Sequence, residues 1–329
     1  MNRSLRRLAL GAAATVALGG VAASTSIPVA ASADELDEVR QTYIGFANEI
    51  NWVWAQEHDI FEEHGIDFEP VQTGGGAAGV AAVMSGSADI GFVGGTDAIK
   101  AFQQGFPIRI VGAAYGNVNP PQPNGRGVVV APDSGIESPC DLVGRKVAID
   151  EVGGIGHIYM AAWIADDGCD PNEVDFIALP NGQLDTAFLS GRVDAVGLNA
   201  TRAQAIVSSG DGVLLLDPMG VVAGDVAYAV YITTADYLAA HEEVLVRWRA
   251  ALDESLAQIT DPANEDAVFE LMAEHGGTTV ELLRSIANEP QITTVDHDVL
   301  AGMVDTMVAG GFLPEPVDVD ELLAPLAMP

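Results

Sequence analysis

A short phrase occurs twice in this chain. Ser85-Gly86-Ser87-Ala88-Asp89, followed by Ile90-Gly91-Phe92-Val93 and Gly94-Gly95-Thr96-Asp97, returns as Ser190-Gly191-Arg192-Val193-Asp194, followed by Ala195-Val196-Gly197-Leu198 and Asn199-Ala200-Thr201-Arg202. Each copy reads as a helix end, a glycine turn, a short buried strand and a polar loop. Each is preceded by an apolar strand, 66–71 or 174–179, then by a glycine-bearing loop and a helix of small residues. That is one βαβ step per copy, and two such steps predict two similar α/β lobes facing each other. Ligands of open parallel sheets lie beyond the carboxyl ends of the strands, so facing lobes would surround one cleft with strand-end loops.

Residues 1–33 read as an export leader. Arg3, Arg6 and Arg7 form the basic start, residues 8–21 the apolar stretch, and Ala31-Ser32-Ala33 the small-residue cleavage motif. Cleavage after Ala33 would release an exported protein, periplasmic or extracellular, with no cysteine at the new terminus to carry a lipid anchor. No later run approaches the ~20 apolar residues that span a bilayer, so direct membrane insertion is not expected. With 47 acidic against 14 basic residues the net charge is −33, and about −36 once the three leader arginines are gone. Such a surface argues against nucleic acid and anionic membrane as partners.

Two cysteines in an exported chain invite pairing. Cys140 precedes a strand at 146–149 and Cys169 one at 174–179, which puts both at the amino-terminal edge of one sheet. That edge lies opposite the strand ends expected to bind, so a bond there would be structural.

Further strands are predicted at 39–46, 89–93 and 108–114, with helices at 52–64, 77–85 and 96–104. Residues 116–127, with Pro120, Pro121 and Pro123, break all periodicity and read as the first crossing between lobes. Strands at 128–131, 146–150, 174–179 and 194–198 then alternate with helices from 157, at 183–190 and at 201–209. A glycine-bearing stretch, 219–225, leads through a strand at 226–233 back to the first lobe, and amphipathic helices over 235–329 should brace the lobes from behind. The expected organisation is therefore a leader (1–33), a first lobe (34–117), a second lobe (118–222), and a return strand with C-terminal helices (223–329).

Several phrases in this order resemble the nitrate, sulfonate, taurine and thiamine-precursor group of ABC-transporter solute-binding proteins. They are Phe61-Glu62-Glu63-His64-Gly65-Ile66, Met84-Ser85-Gly86-Ser87-Ala88-Asp89-Ile90-Gly91, Gly105-Phe106-Pro107-Ile108, Ser134-Gly135-Ile136 and Asp141-Leu142-Val143-Gly144-Arg145-Lys146-Val147-Ala148. The resemblance implies a type II periplasmic-binding fold: two Rossmann-like lobes that close on a solute and then dock, as a monomer, on a permease with its ATPase. It implies no cofactor.

Carried over by position, the family's solute contacts fall on strand-end loops. Asn48, Asn51 and Trp52 follow the first strand; Thr73, Gly74 and Gly75 follow the second, where the glycines either admit a ligand to the backbone or serve a turn. Gly94, Gly95, Thr96 and Asp97 open a helix whose amides suit an acceptor, Asp97 being a ligand group or a plain cap. Tyr115 and Asn117, with Trp52, could stack on and hydrogen-bond to a flat ring. In the second lobe the candidates are Gly153, Gly154, Ile155 and His157, then Asn181, then Asn199, Thr201 and Arg202. Family members that bind anions usually place Ser or Thr in the loop at 151–157, and this chain has neither. Arg202 would suit a carboxylate or sulfonate, or else pairs with the acidic surface; Glu49 and Asp97 would suit an amine or aminopyrimidine.

An enzyme of the thiamine-pyrimidine synthase type is the competing expectation. Those relatives carry a Cys-rich run, whereas Cys140 and Cys169 stand alone here, and no nucleophile elbow, metal-binding His-Glu-x-x-His or Cys-His cluster occurs. A secreted sensory or scavenging module is the third.

Overall fold

A computed structural model describes residues 36–117, 127–215, 218–222, 226–285 and 290–329. The leader at 1–33, the proline-bearing part of the first crossing and residues 223–225 of the second lie outside the described residues.

Among the described residues, ten strands build two mixed β arrays of the same plan. The first uses β1 (Asp37–Tyr43), β2 (Ile66–Gln72), β3 (Gly91–Gly94), β4 (Ile108–Asn117) and the late strand β10 (Val226–Thr234). β1 pairs with β2 in parallel, and a parallel bridge from Gln41 to Ile90 attaches β3; β10 lies antiparallel between β3 and β4. The second array comprises β5 (Gly127–Val130), β6 (Lys146–Ile149), β7 (Asp175–Ala178), β8 (Ala195–Leu198) and β9 (Val213–Leu214) in the order β7-β6-β8-β5-β9. Here β5 is the antiparallel strand, lying between β8 and β9. In both arrays the strand adjoining a crossing fills the same slot.

The duplicated phrase has a backbone explanation. The helices α3 (Gly76–Ser85) and α6 (Asn181–Leu189) end in turns where Gly86 and Gly191 hold φ of +71° and +69°, which glycine adopts without strain. The aspartates that follow then anchor a neighbouring parallel strand. Asp89 accepts from Arg40 N–H at 2.9 Å and donates its own N–H to Arg40 C=O at 2.8 Å. Asp194 does the same with Lys146, at 2.9 and 2.8 Å. Asp89 thus fixes the start of β3 on β1, and Asp194 that of β8 on β6.

The remaining helices are α1 (Ile50–Glu57), α2 (Ile60–Glu63), α4 (Gly95–Gln103), α5 (Ile155–Asp166), α7 (Ala200–Ser209) and α8 (Pro218–Val222). The C-terminal set is α9 (Ala235–Ala240), α10 (Glu242–Ile259), α11 (Glu265–Gly276), α12 (Val280–Ser285), α13 (His297–Ala309) and α14 (Val319–Leu322). α10 packs on α1, α2 and β2, α13 on β10, α4 and α5, and α14 on β4. Trp248 of α10 is fully buried in this core and donates its indole N–H to Gln41 at 3.0 Å. The second array is sandwiched between two smaller apolar clusters, one around Trp163, Ile164 and Val147, the other around Leu184, Phe188 and Ile206.

Two element expectations change. The helix expected at 52–64 is broken at Asp59, which takes a left-handed φ of 60° between α1 and α2. The first strand stops at Tyr43 and not at 46, because residues 44–46 turn to give their N–H groups to Glu49. Cys140 and Cys169 stand at disulfide distance, Cα to Cα 5.6 Å, beside the starts of β6 and β7. A crosslink closing a loop of this size removes roughly 3–4 kcal/mol of chain entropy from the unfolded state.

Candidate functional site

A cavity of about 470 Å³ opens where the strand ends of the two arrays face each other. The first array contributes Ile44 to Asn48, Gly74 to Gly76, Phe92, Gly94, Asp97, Tyr115, Tyr228 and Ala229; the second contributes residues 149–151, Gly154 to Gly156, Met160, Pro180, Asn181 and 197–202. Met219 of α8 and Met272, Gly276, Thr278 and Leu283 from the C-terminal helices complete the wall.

Among the described residues, five helices place their N-cap residues on this cavity. These are Gly75 of α3, Gly94 of α4, Gly154 of α5, Pro180 of α6 and Asn199 of α7. The first turn of a helix has N–H groups without intrahelical partners and carries partial positive charge. Asn199 answers its own helix by accepting from Arg202 N–H at 3.1 Å, whereas the caps of α3, α4, α5 and α6 make no side-chain bond. The cavity therefore offers backbone donors from both arrays to the acceptor atoms of a solute.

The charged side chains on the wall are Asp97, Asp150, Glu151 and Arg202. Arg202 is held by Asp185, its Nε donating to both carboxylate oxygens at 3.1 and 3.0 Å and its Nη2 lying 2.9 Å away. Asp97 lies against α3, where a Cβ at Gly76 would collide with its Oδ2, and its Oδ1 is 3.0 Å from Lys100 Nζ. Burial raises the Glu151 carboxyl above its ordinary range; Asp97 adds to the rise and Lys100 opposes it. Phe92, Tyr115, Ile155, Met160 and Leu283 supply apolar surface between these groups.

Of the residues expected at the site, Asn48, Gly74, Gly75, Gly94, Asp97, Tyr115, Gly154, Ile155, Asn181, Asn199, Thr201 and Arg202 come together on the cavity wall. Others stand off it. Asn51 and Trp52 are buried behind, Trp52 within an aromatic group formed by Tyr43, His275 and Phe68. Thr73 donates its hydroxyl to Tyr43 C=O, while Gly95 and Thr96 are buried in the first turn of α4. Asn117 is the last residue of β4, opposite Val226. Glu49, expected to face an amine, is buried and accepts from the N–H groups of Ile44, Gly45 and Phe46 at 3.1–3.3 Å. Arg202, expected to face an anion, lines the cavity but spends its guanidinium on Asp185. The wall residues contributed by β10, α8 and the C-terminal helices were not legible, because long-range packing brings them in.

Gly153 and His157 form a support beneath the wall. Gly153 donates its N–H to His157 Nδ1 at 2.8 Å, so the imidazole is neutral, and its ring packs on Phe176 and Phe312. Burial lowers the His157 pKa below its ordinary 6.5. In the unfolded chain the imidazole binds a proton more readily, so its contribution to stability is complete above pH 6.5 and is lost as the pH falls below it. Urea midpoints of wild type and His157→Gln at pH 7.5 and 5.5 test this: the variant should show the smaller acid loss, and equal losses would contradict it.

The sequence matches the family model described as NMT1/THI5 like over residues 47–266. The chain belongs to the NMT1/THI5-like family. A binding protein of Brucella abortus (strain 2308) is 24% identical over 311 residues, covering 90% of this chain and 92% of the relative. Among solved structures, the alkanesulfonate-binding protein SsuA from Xanthomonas axonopodis pv. citri, bound to MOPS, superposes with a TM-score of 0.74 at 19% identity, covering 89% of this chain and 99% of that one. The periplasmic nitrate-binding protein NrtA from Synechocystis PCC 6803 gives 0.73 at 15% identity, over 89% and 87%. These likenesses establish the periplasmic-binding-protein fold, with the cavity between its two lobes.

Proposed function

We propose that this chain is an exported solute-binding protein that encloses a small polar organic solute between its lobes and delivers it to an ABC-type importer. The cavity on which five helix N-caps converge carries this proposal, since it presents donors from both lobes to one small molecule. The family and the binding relatives support it. The lobes would divide the chain as expected, with crossings beside Asn117 and Val226. Both cysteines are placed for a disulfide, which favours binding over thiol chemistry.

The wall supports one kind of solute over another. Acceptor atoms would meet the starts of α3 to α6, while donor groups would meet Asp150, with Asp97 and Glu151 shared with Lys100. With Arg202 held by Asp185, a molecule carrying both donors and acceptors, of the taurine-like or aminopyrimidine kind, suits the wall better than a bare oxyanion such as nitrate.

A thermal-shift panel of sulfonates, carboxylates, aminopyrimidines, amines and nitrate tests this. A ligand bound only by the folded state stabilises it by about 2.7 kcal/mol at 100 times Kd. A rise in melting temperature with a mixed donor-acceptor compound is expected; no rise with any compound would overturn the binding proposal, and a rise with nitrate alone would overturn the solute class.

A further inference from the structure

We propose that Lys100 is a clasp across the cavity wall, tying the loop at 151–154 of one lobe to α4 of the other before any solute arrives. α4 packs on β3, β4 and β10 of the first array, whereas the loop joins β6 to α5 of the second. From α4 the Lys100 ammonium donates to Gly153 C=O at 2.8 Å and lies 3.6 Å from Glu151 Oε1, while Asp97 on its own helix steadies it at 3.0 Å.

The residue that Lys100 grips is itself constrained. Gly153 has a φ of +77°, a conformation open to glycine and strained for residues with a Cβ. Its C=O is taken by Lys100 and its N–H by His157, so both backbone groups of this one residue are held, from opposite lobes. The Lys100 side chain is 23% exposed and that of Asp97 15%, so water and salt screen this contact less than an open surface pair.

Electrostatics give the clasp a sign. Asp97, Asp150 and Glu151 all face this stretch of wall, and the charges of Asp97 and Asp150 both act on the Glu151 carboxyl. Lys100 offsets part of the repulsion that Asp97 and Asp150 exert on Glu151; without it that repulsion stands alone. A wall fixed in this way leaves less of the loop to be ordered on binding, which makes Lys100 a positioning residue for whatever the cavity holds.

The test is hydrogen exchange of the peptide spanning 150–157 in the full chain without solute, so it stands or falls independently of solute binding. Lys100→Met should raise exchange of these amides about fivefold to tenfold. Glu151→Gln should make that rise smaller, because it removes the carboxylate that Asp97 and Asp150 repel once the ammonium is gone. Unchanged exchange in Lys100→Met, or a rise that Glu151→Gln leaves just as large, would overturn the proposal. Should Lys100→Met not fold, Lys100→Gln, which keeps a donor but no charge, enters the same cycle with the same expected signs.

Discussion

Replacing Glu49 by alanine should lower the unfolding free energy by about 3–5 kcal/mol. The carboxylate is buried and takes the N–H groups of Ile44, Gly45 and Phe46, with His275 Nε2 at 3.7 Å. Alanine would leave these inward-facing donors unanswered, and a buried unsatisfied group costs about 1–3 kcal/mol. Glu49→Gln keeps one acceptor oxygen and should lose less. Residues 44–46 line the cavity, so both variants should also bind solute more weakly than their stability alone would explain. Urea denaturation reads the first effect, and a loss under about 1 kcal/mol for Glu49→Ala would show that the loop holds itself.

Glu49 also shows where a sequence stops being informative. The repeat was legible because it is local: a helix, a glycine turn, an aspartate and a short strand follow one another, and the aspartate's partner is fixed by the pairing of β3 on β1 and of β8 on β6. From that repeat came the two α/β arrays and their facing strand ends. A carboxylate near a strand end, however, reads the same whether it meets a solute or three backbone amides a few residues away. The choice depends on how the chain turns after Tyr43. Lys100 was invisible for a similar reason, since a lysine on an amphipathic helix looks like a solvated residue until the opposite lobe is in place. Arg202 presented two open alternatives in sequence, and only the approach of Asp185 from α6 separates them.

Filling the cavity should abolish binding without harming the fold. Gly74 lines the wall, and a Cβ placed there meets no atom within 4 Å, so Gly74→Trp has room for its first atoms. Its stability should stay within about 0.5 kcal/mol of wild type, as for substitutions that break no packing or hydrogen bond. The indole would occupy space that a solute of this size needs, because such sites bury most of their ligand's surface. A fall in affinity of about 100-fold or more is expected, equivalent to about 2.7 kcal/mol.

Calorimetric titration of the most stabilising compound from the panel into wild type and Gly74→Trp tests the central claim most directly. The structure predicts saturable heat at one site per chain in the wild type and none in the variant, with the variant's melting temperature unchanged in the absence of solute. Equal titrations in the two proteins would place the solute outside the cavity and contradict the account.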